Sequence, residues 1–338
     1  MEEGNRSTVT EFVLLRLTKS SELQLLLFVI FLAVYSTTVL GNLLIVALVA
    51  CEPHLHTPMY MLLGNLSFLD FCYSSITAPN LLAGFFIQAQ IISYRCCMAQ
   101  IFFFHFIGGI KIFLLTIMAY DCYVAIFHPL RYMVIMNQAV CVGLVGASWA
   151  GGFIHSIIQV SIIVQLPFCS PHELNNFYCD VPQVIKLACV DTFAVELLMV
   201  SNSGLMTLLG FLVLLVSYSV LLAKLSTRSS EGQAKALSTC ASHLTVVTLI
   251  FGPCIYIYAR PFRSFPMDKA VSILYTVVTP VLNPVIYTLR NKEVQLAVRK
   301  LRKLLPRERE LFPSPLSLLP LAGLTLLSFI FNWGWLTP

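Results

Sequence analysis

The chain has 338 residues, of which 58% are hydrophobic and only 11% charged, and its mean hydropathy is +0.83. Soluble domains carry about a quarter charged residues, so this composition excludes an ordinary water-soluble fold. It is what lipid tolerates, because a charge at mid-bilayer costs at least ~2.5–3.5 kcal/mol on insertion scales. The net charge of +5 is small, and the basic excess gathers between Arg290 and Lys303, which suits anionic lipid head groups and not nucleic acid.

Residues 1–24 are polar, mixed in charge and without a signal-peptide pattern, so the first span is expected to direct insertion. Asn5-Arg6-Ser7 is a glycosylation acceptor expected outside the cell; Asn65-Leu66-Ser67 matches the same triplet inside an apolar run, where no sugar is expected. Apolar segments of spanning length follow at Leu25–Ala50, Met59–Phe86, Met98–Ile126, Val140–Val164, Val195–Ala223, Leu237–Tyr258 and Ala270–Leu289. This predicts an all-α bundle of seven membrane helices over residues 25–290. The N-terminus is expected to be extracellular and the C-terminus cytoplasmic, in a multi-pass protein expected at the plasma membrane. Residues 291–305 read as an amphipathic helix on the inner surface, with Val294, Leu296, Val298, Leu301 and Leu304 set among lysines and arginines. Residues 306–338 form a tail whose Leu316–Trp335 run is apolar, near spanning length and interrupted by Pro320.

The connection from Gln165 to Glu196 is long for a helix link and is expected to be functional or tied down. Its Cys169, Cys179 and Cys189, with Cys97 ahead of the third span, fit a disulfide framework in an oxidising compartment; their spacing matches no zinc pattern. Inside the bundle the expensive groups are Asp70, Lys111 and Asp121, functional suspects by default. At a rise of about 1.5 Å per residue, Asn42, Asp70, Lys111 and Asn283 reach compatible depths, so Lys111 either supplies the counter-charge of Asp70 or snorkels away from it. His, Cys and Asp gather at no nucleophile–base spacing, so neither an enzyme nor a cofactor is expected. A transporter or channel using Asp70, Lys111 and Asp121 as an ion path lacks the inverted repeats of such proteins.

Several motifs stand in one order. They are Gly41-Asn42, Leu55-His56-Thr57-Pro58-Met59-Tyr60, Asn65-Leu66-Ser67-Phe68-Leu69-Asp70, Met118-Ala119-Tyr120-Asp121 and Ser217-Tyr218. Lys235-Ala236-Leu237-Ser238-Thr239-Cys240-Ala241-Ser242-His243 and Pro280-Val281-Leu282-Asn283-Pro284-Val285-Ile286-Tyr287 complete the set. Together, from about Thr10 to Lys303, the chain resembles the tetrapod-type olfactory receptors of the rhodopsin-like G-protein-coupled superfamily. The resemblance implies disulfides Cys97–Cys179 and Cys169–Cys189. It implies a small volatile odorant held by Phe104, His105, Gly108, Gly109, Asn202, Ser203, Met206, Phe251, Ile255, Tyr258 and Thr276. It also implies coupling to a heterotrimeric stimulatory G protein, raising cyclic AMP, through Asp121, Cys122, Tyr123, Tyr218, Lys235, His243, Asn283, Pro284 and Tyr287. Among the departures from that pattern, Cys122 stands where the family usually has arginine, and Lys111 where it usually has a glutamate that helps hold sodium beside the aspartate matching Asp70. The departures imply impaired coupling, and leave a receptor-like membrane protein that does not signal as the other reading.

Overall fold

The computed structural model describes residues 9–17, 20–87, 89–168, 172–226, 231–260, 265, 267–290 and 293–298. With no water in the hydrocarbon to pair backbone groups, each apolar run closes its hydrogen bonds within itself as helix. The helices are α1 (Ser21–Cys51), α2 (Pro58–Ala83), α3 (Tyr94–Phe127) and α4 (Gln138–Ile163). Then come α5 (Phe193–Met199, a π segment Val200–Leu205, and Met206–Ser226), α6 (Glu231–Tyr258) and α7 (Asp268–Ile273, a π segment Leu274–Val278, and Thr279–Arg290). Local chemistry sets the boundaries. Ser93 and Asn137 accept from the backbone N–H groups of Cys96 and Val140 to cap α3 and α4, and α3 stops just before His128-Pro129.

Among the described residues, five helical stretches are both long and apolar enough to cross a membrane: Glu22–Cys51, Tyr94–Phe127, Gln138–Ile163, Phe193–Ala223 and Asp268–Ile286. The other two expected spans are helical as well. In α2, Ser67, Asp70, Ser74 and Thr77 dilute the hydropathy, and all four are buried, turned into the protein and away from lipid. In α6 the stretch whose side chains are described, Leu244–Tyr258, is apolar. The lipid-facing sides elsewhere carry exposed Phe153, Ile154 and Ile157 on α4, and Leu209, Val213 and Val216 on α5.

Close backbone approach at glycines sets the packing around α3. A Cβ on Gly152 of α4 would stand 2.7 Å from Phe106 O and 2.6 Å from Ile110 Cγ1, and one on Gly109 would stand 3.1 Å from Gly152 Cα. Similarly, α1 meets α7 where a Cβ on Gly41 would lie 2.8 Å from Pro284 Cβ.

A feature the span pattern did not announce covers the end of the bundle where α2 runs into α3. Strand β1 (Glu11–Leu15) pairs antiparallel with β2 (Ala89–Ser93), Glu11 opposite Ser93, and parallel with β3 (Glu173–Leu174). Its alternate residues Phe12 and Leu14 are buried in a cluster with Cys97, Met98, Phe168 and Cys179. Thus the N-terminal segment contains a strand over Glu11–Leu15 whose side chains alternate in burial. At the opposite end, residues 293–298 are helical, and Val294 and Ala297 pack on Leu55, Tyr60 and Leu63. Asn5, Cys169 and therefore its expected bond to Cys189, and the tail 306–338 lie outside the described residues.

Candidate ligand cavity

The roof is built from the α4–α5 connection. The Cys97–Cys179 disulfide, with Cα atoms 5.5 Å apart, fastens that loop to the start of α3. Gln100 reinforces it, accepting from Cys179 N at 2.8 Å and donating to Ile76 O at 2.8 Å. Beyond the disulfide the loop turns inward and buries Asp180. Its carboxylate accepts from Tyr258 Oη at 2.8 Å, Tyr178 Oη at 3.3 Å and Val181 N at 2.9 Å, the last capping the short helix Val181–Ile185. Tyr178 Oη also lies 2.5 Å from Tyr275 Oη. Burial, followed by the Asp180 charge, pushes the Tyr178 phenol well above its ordinary range. The loop, α6 and α7 are thereby joined through one buried carboxylate.

Beneath this roof lies a cavity of about 50 Å³, walled by Phe104, His105, Gly108, Gly109 and Ile112 of α3, His155 of α4, and Ser203, Met206 and Thr207 of α5. Ile250, Cys254 and Tyr258 of α6, with Tyr73, Lys111 and Tyr275, complete it. The π segment of α5 presents Ser203 here, and Gly204 allows the approach: a Cβ there would strike Tyr258 O and stand 2.8 Å from Ala259 Cα. On α4, His155 reaches the cavity over Gly109, where a Cβ would meet its Cδ2 at 3.3 Å.

Seven of the residues expected to hold ligand, Phe104, His105, Gly108, Gly109, Ser203, Met206 and Tyr258, come together on this wall. Four stand elsewhere. Asn202 lies behind it, its Oδ1 taken by His155 Nδ1 at 3.4 Å. Phe251 stacks on Phe211 with centroids 5.8 Å apart, and Ile255 packs into the core. Thr276 donates back to Ser272 O at 2.6 Å, and its neighbour Tyr275 takes the wall position because the π turn rotates the register of α7. Of the wall residues not foreseen, two carried signals. His155 is the one histidine of the fourth expected span, and Thr207 follows Ser203 by four residues, one helical turn.

The floor is polar. Lys111 Nζ stands 2.6 Å from Asp70 Oδ1, with both side chains buried, and 4.6 Å from the centroid of the Tyr73 ring. Asn283 donates its Nδ2 to the other oxygen of Asp70. Asn42, on the α1 side, donates to Thr38 O at 2.9 Å and Pro280 O at 3.0 Å. The four polar residues expected at one depth therefore form two adjoining groups linking α1, α2, α3 and α7, and of the two readings of Lys111 the geometry takes the ion pair.

Towards the other end of α3, Asp121 Oδ1 accepts from Tyr132 Oη at 2.8 Å, and burial, followed by this bond, raises the Tyr132 phenol pKa. Cys122, next in sequence, is half-buried and brings no positive charge. Tyr123 packs on Phe127 with centroids 4.9 Å apart, Tyr218 is buried, and Pro284 rests on Gly41. The side chains of Lys235, His243 and Tyr287 lie outside the described residues. A larger hollow of about 670 Å³ opens at this end between Val49, Leu55, Thr57, Met61, Phe68 and Met133.

A membrane bundle closed over a small, mixed polar and apolar cavity, its roof pinned to α3 by a disulfide, has the build of a heptahelical membrane receptor. A family model described as "Olfactory receptor" matches residues 31–304. The chain is 58% identical over 303 residues to human Olfactory receptor 4Q3, covering 89% of this chain and 97% of that protein. It is 54% identical over 303 residues to mouse Olfactory receptor 4M1 at the same coverage, and 56% identical over 303 residues to human Olfactory receptor 4Q2, covering 89% and 96%. The chain belongs to the olfactory receptor family. It is a multi-pass membrane receptor and not an enzyme.

Proposed function

We propose that this receptor binds a small volatile odorant in the cavity under Asp180 and signals through a stimulatory G protein of the olfactory type, raising cyclic AMP. The observation that carries the binding half is the cavity itself. Its walls are mainly apolar, and a few polar groups from α3, α4 and α5 converge on it, as ligand sites require. Signalling requires the cavity to differ between two states of the bundle, since a ligand shifts an equilibrium only by its differential affinity. The network joining the roof, α6 and α7 through Asp180 is placed to couple ligand contact to helix position. Orientation follows the same reading, with β1 and the disulfide outside, and Asp121 and Tyr132 facing the cytoplasm.

Cys122 bears on the coupling half. A thiol cannot pair with Asp121 by charge, and in this chain the Tyr132 hydroxyl satisfies that carboxylate. The second reading, a receptor that binds odorant and signals weakly or not at all, rests on this exchange. A cyclic AMP assay across an odorant panel, with surface staining, separates the two. Under our proposal Cys122→Arg at equal surface level raises the maximal response to the same odorants. If this chain and the arginine form are both silent at the surface, the signalling reading fails.

A further inference from the structure

The hydrogen-bond inventory of the cavity wall narrows the ligand class. His155 Nδ1 faces Asn202 Oδ1, a pure acceptor, so the ring proton sits on Nδ1 and Nε2 is left as an acceptor. Ser203 Oγ accepts from Gln159 Nε2, so its own O–H remains to be donated. His105 Nε2 is buried without a hydrogen-bond partner among the described residues, 3.7 Å from an Asp180 oxygen. His105, His155 and Ser203 all line the cavity. Leaving such groups unmet inside a bundle is costly, so the native ligand is expected to answer His155 and Ser203, whose open acceptor and donor face the cavity.

Resting on the odorant-binding reading, we propose that the cavity selects small hydroxyl-bearing ligands, alcohols in particular, which donate to His155 Nε2 and accept from Ser203 Oγ–H. Other polar classes leave something unanswered. An aldehyde, ketone or ester accepts only, and strands the His155 acceptor. A carboxylate would add a third anion to Asp70 and Asp180 against the single ammonium of Lys111. A protonated amine would share the cavity with that ammonium, and Asp180, whose carboxylate already takes three hydrogen bonds, is not on the wall. A cavity of about 50 Å³ restricts the fit to small ligands.

The test is binding, so that coupling does not enter. The purified full chain in micelles is titrated with 1-butanol, butanal, butanoate and pentane, and thermal stabilisation is read. We expect 1-butanol to bind roughly fivefold or more tighter than butanal, one hydrogen bond's worth, with butanoate weakest. Ser203→Ala and His155→Phe should each lower the affinity for 1-butanol by a similar factor and leave pentane unchanged. Butanal binding as tightly as 1-butanol in the unaltered chain, or both variants weakening every ligand alike, would overturn the hydroxyl assignment and leave the cavity as a binding site. Stabilisation by none of the four probes would remove the cavity reading itself, and the assignment with it.

Discussion

Removing one partner of the Asp70–Lys111 pair should be far more damaging than removing both. The nitrogen and oxygen are 2.6 Å apart, and both side chains are almost wholly out of contact with solvent. In Asp70→Asn the amide keeps the shape but leaves the Lys111 ammonium over the Tyr73 ring with no counter-charge among the described residues. Stranding a buried charge costs about 3–5 kcal/mol, roughly two to three and a half orders of magnitude in the folded-to-unfolded ratio. Lys111→Met is milder, because Asp70 retains the Asn283 donor and can escape its charge by taking a proton. The double variant Asp70→Asn/Lys111→Met has no charge to bury and should lie within about 1 kcal/mol of the parent or above it. Thermal unfolding of the purified chain and three variants in one detergent reads the cycle. An Asp70→Asn protein as stable as the parent, or a double variant whose loss is the sum of the two singles, would refute the reasoning.

Other expectations follow from single sites. Lys111→Glu places two carboxylates together, so that variant should gain stability as sodium replaces a bulky cation at fixed ionic strength, while the parent, which carries its own ammonium, should not. Gly152→Val should destabilise strongly, because its first side-chain carbon already collides with Phe106 O and Ile110 at the α3–α4 crossing; a yield and melting temperature equal to the parent's would contradict the packing. The Tyr178 phenol titrates well above its unfolded value of about 10. The unfolded chain therefore loses that proton first, and stability should fall as pH rises past about 10. Tyr178→Phe should make that fall shallower. Tyr132→Phe removes the hydrogen bond that the Tyr132 hydroxyl gives Asp121 and should weaken the closed inner end, read as raised basal cyclic AMP in the Cys122→Arg background.

The sequence carried the helical layout well because lipid permits few alternatives. Apolar runs of spanning length had to be helices, and Pro129 had to end α3 where it does. The meeting of Asp70 with Lys111 was legible from depth and charge alone, since each made the other affordable in hydrocarbon. What the residues did not display was anything decided by register. The π turns in α5 and α7 rotate the faces that follow them, so Tyr275 lines the cavity where Thr276 was expected. Strand β1 was not legible because Phe12 to Leu15 are four apolar residues in a row, with no alternation to mark a strand beside seven long apolar runs. The inward fold of Asp180 depends on partners from α6 and α7 that lie far away in the chain, Tyr258 and Tyr275, and no local pattern joins them.

The central claim, that odorant in this cavity drives the receptor, is tested most directly by closing the cavity without disturbing the bundle. Gly108 lines it and has room for a Cβ, whose nearest neighbour would be Tyr73 at 3.8 Å, so Gly108→Leu fills the space at little steric cost to the helices. The measurement is the odorant-evoked cyclic AMP response of Cys122→Arg and of Cys122→Arg/Gly108→Leu at matched surface staining. The account predicts a dose-dependent response in the first and its loss in the second. An undiminished response with the cavity filled would place the ligand elsewhere and contradict it.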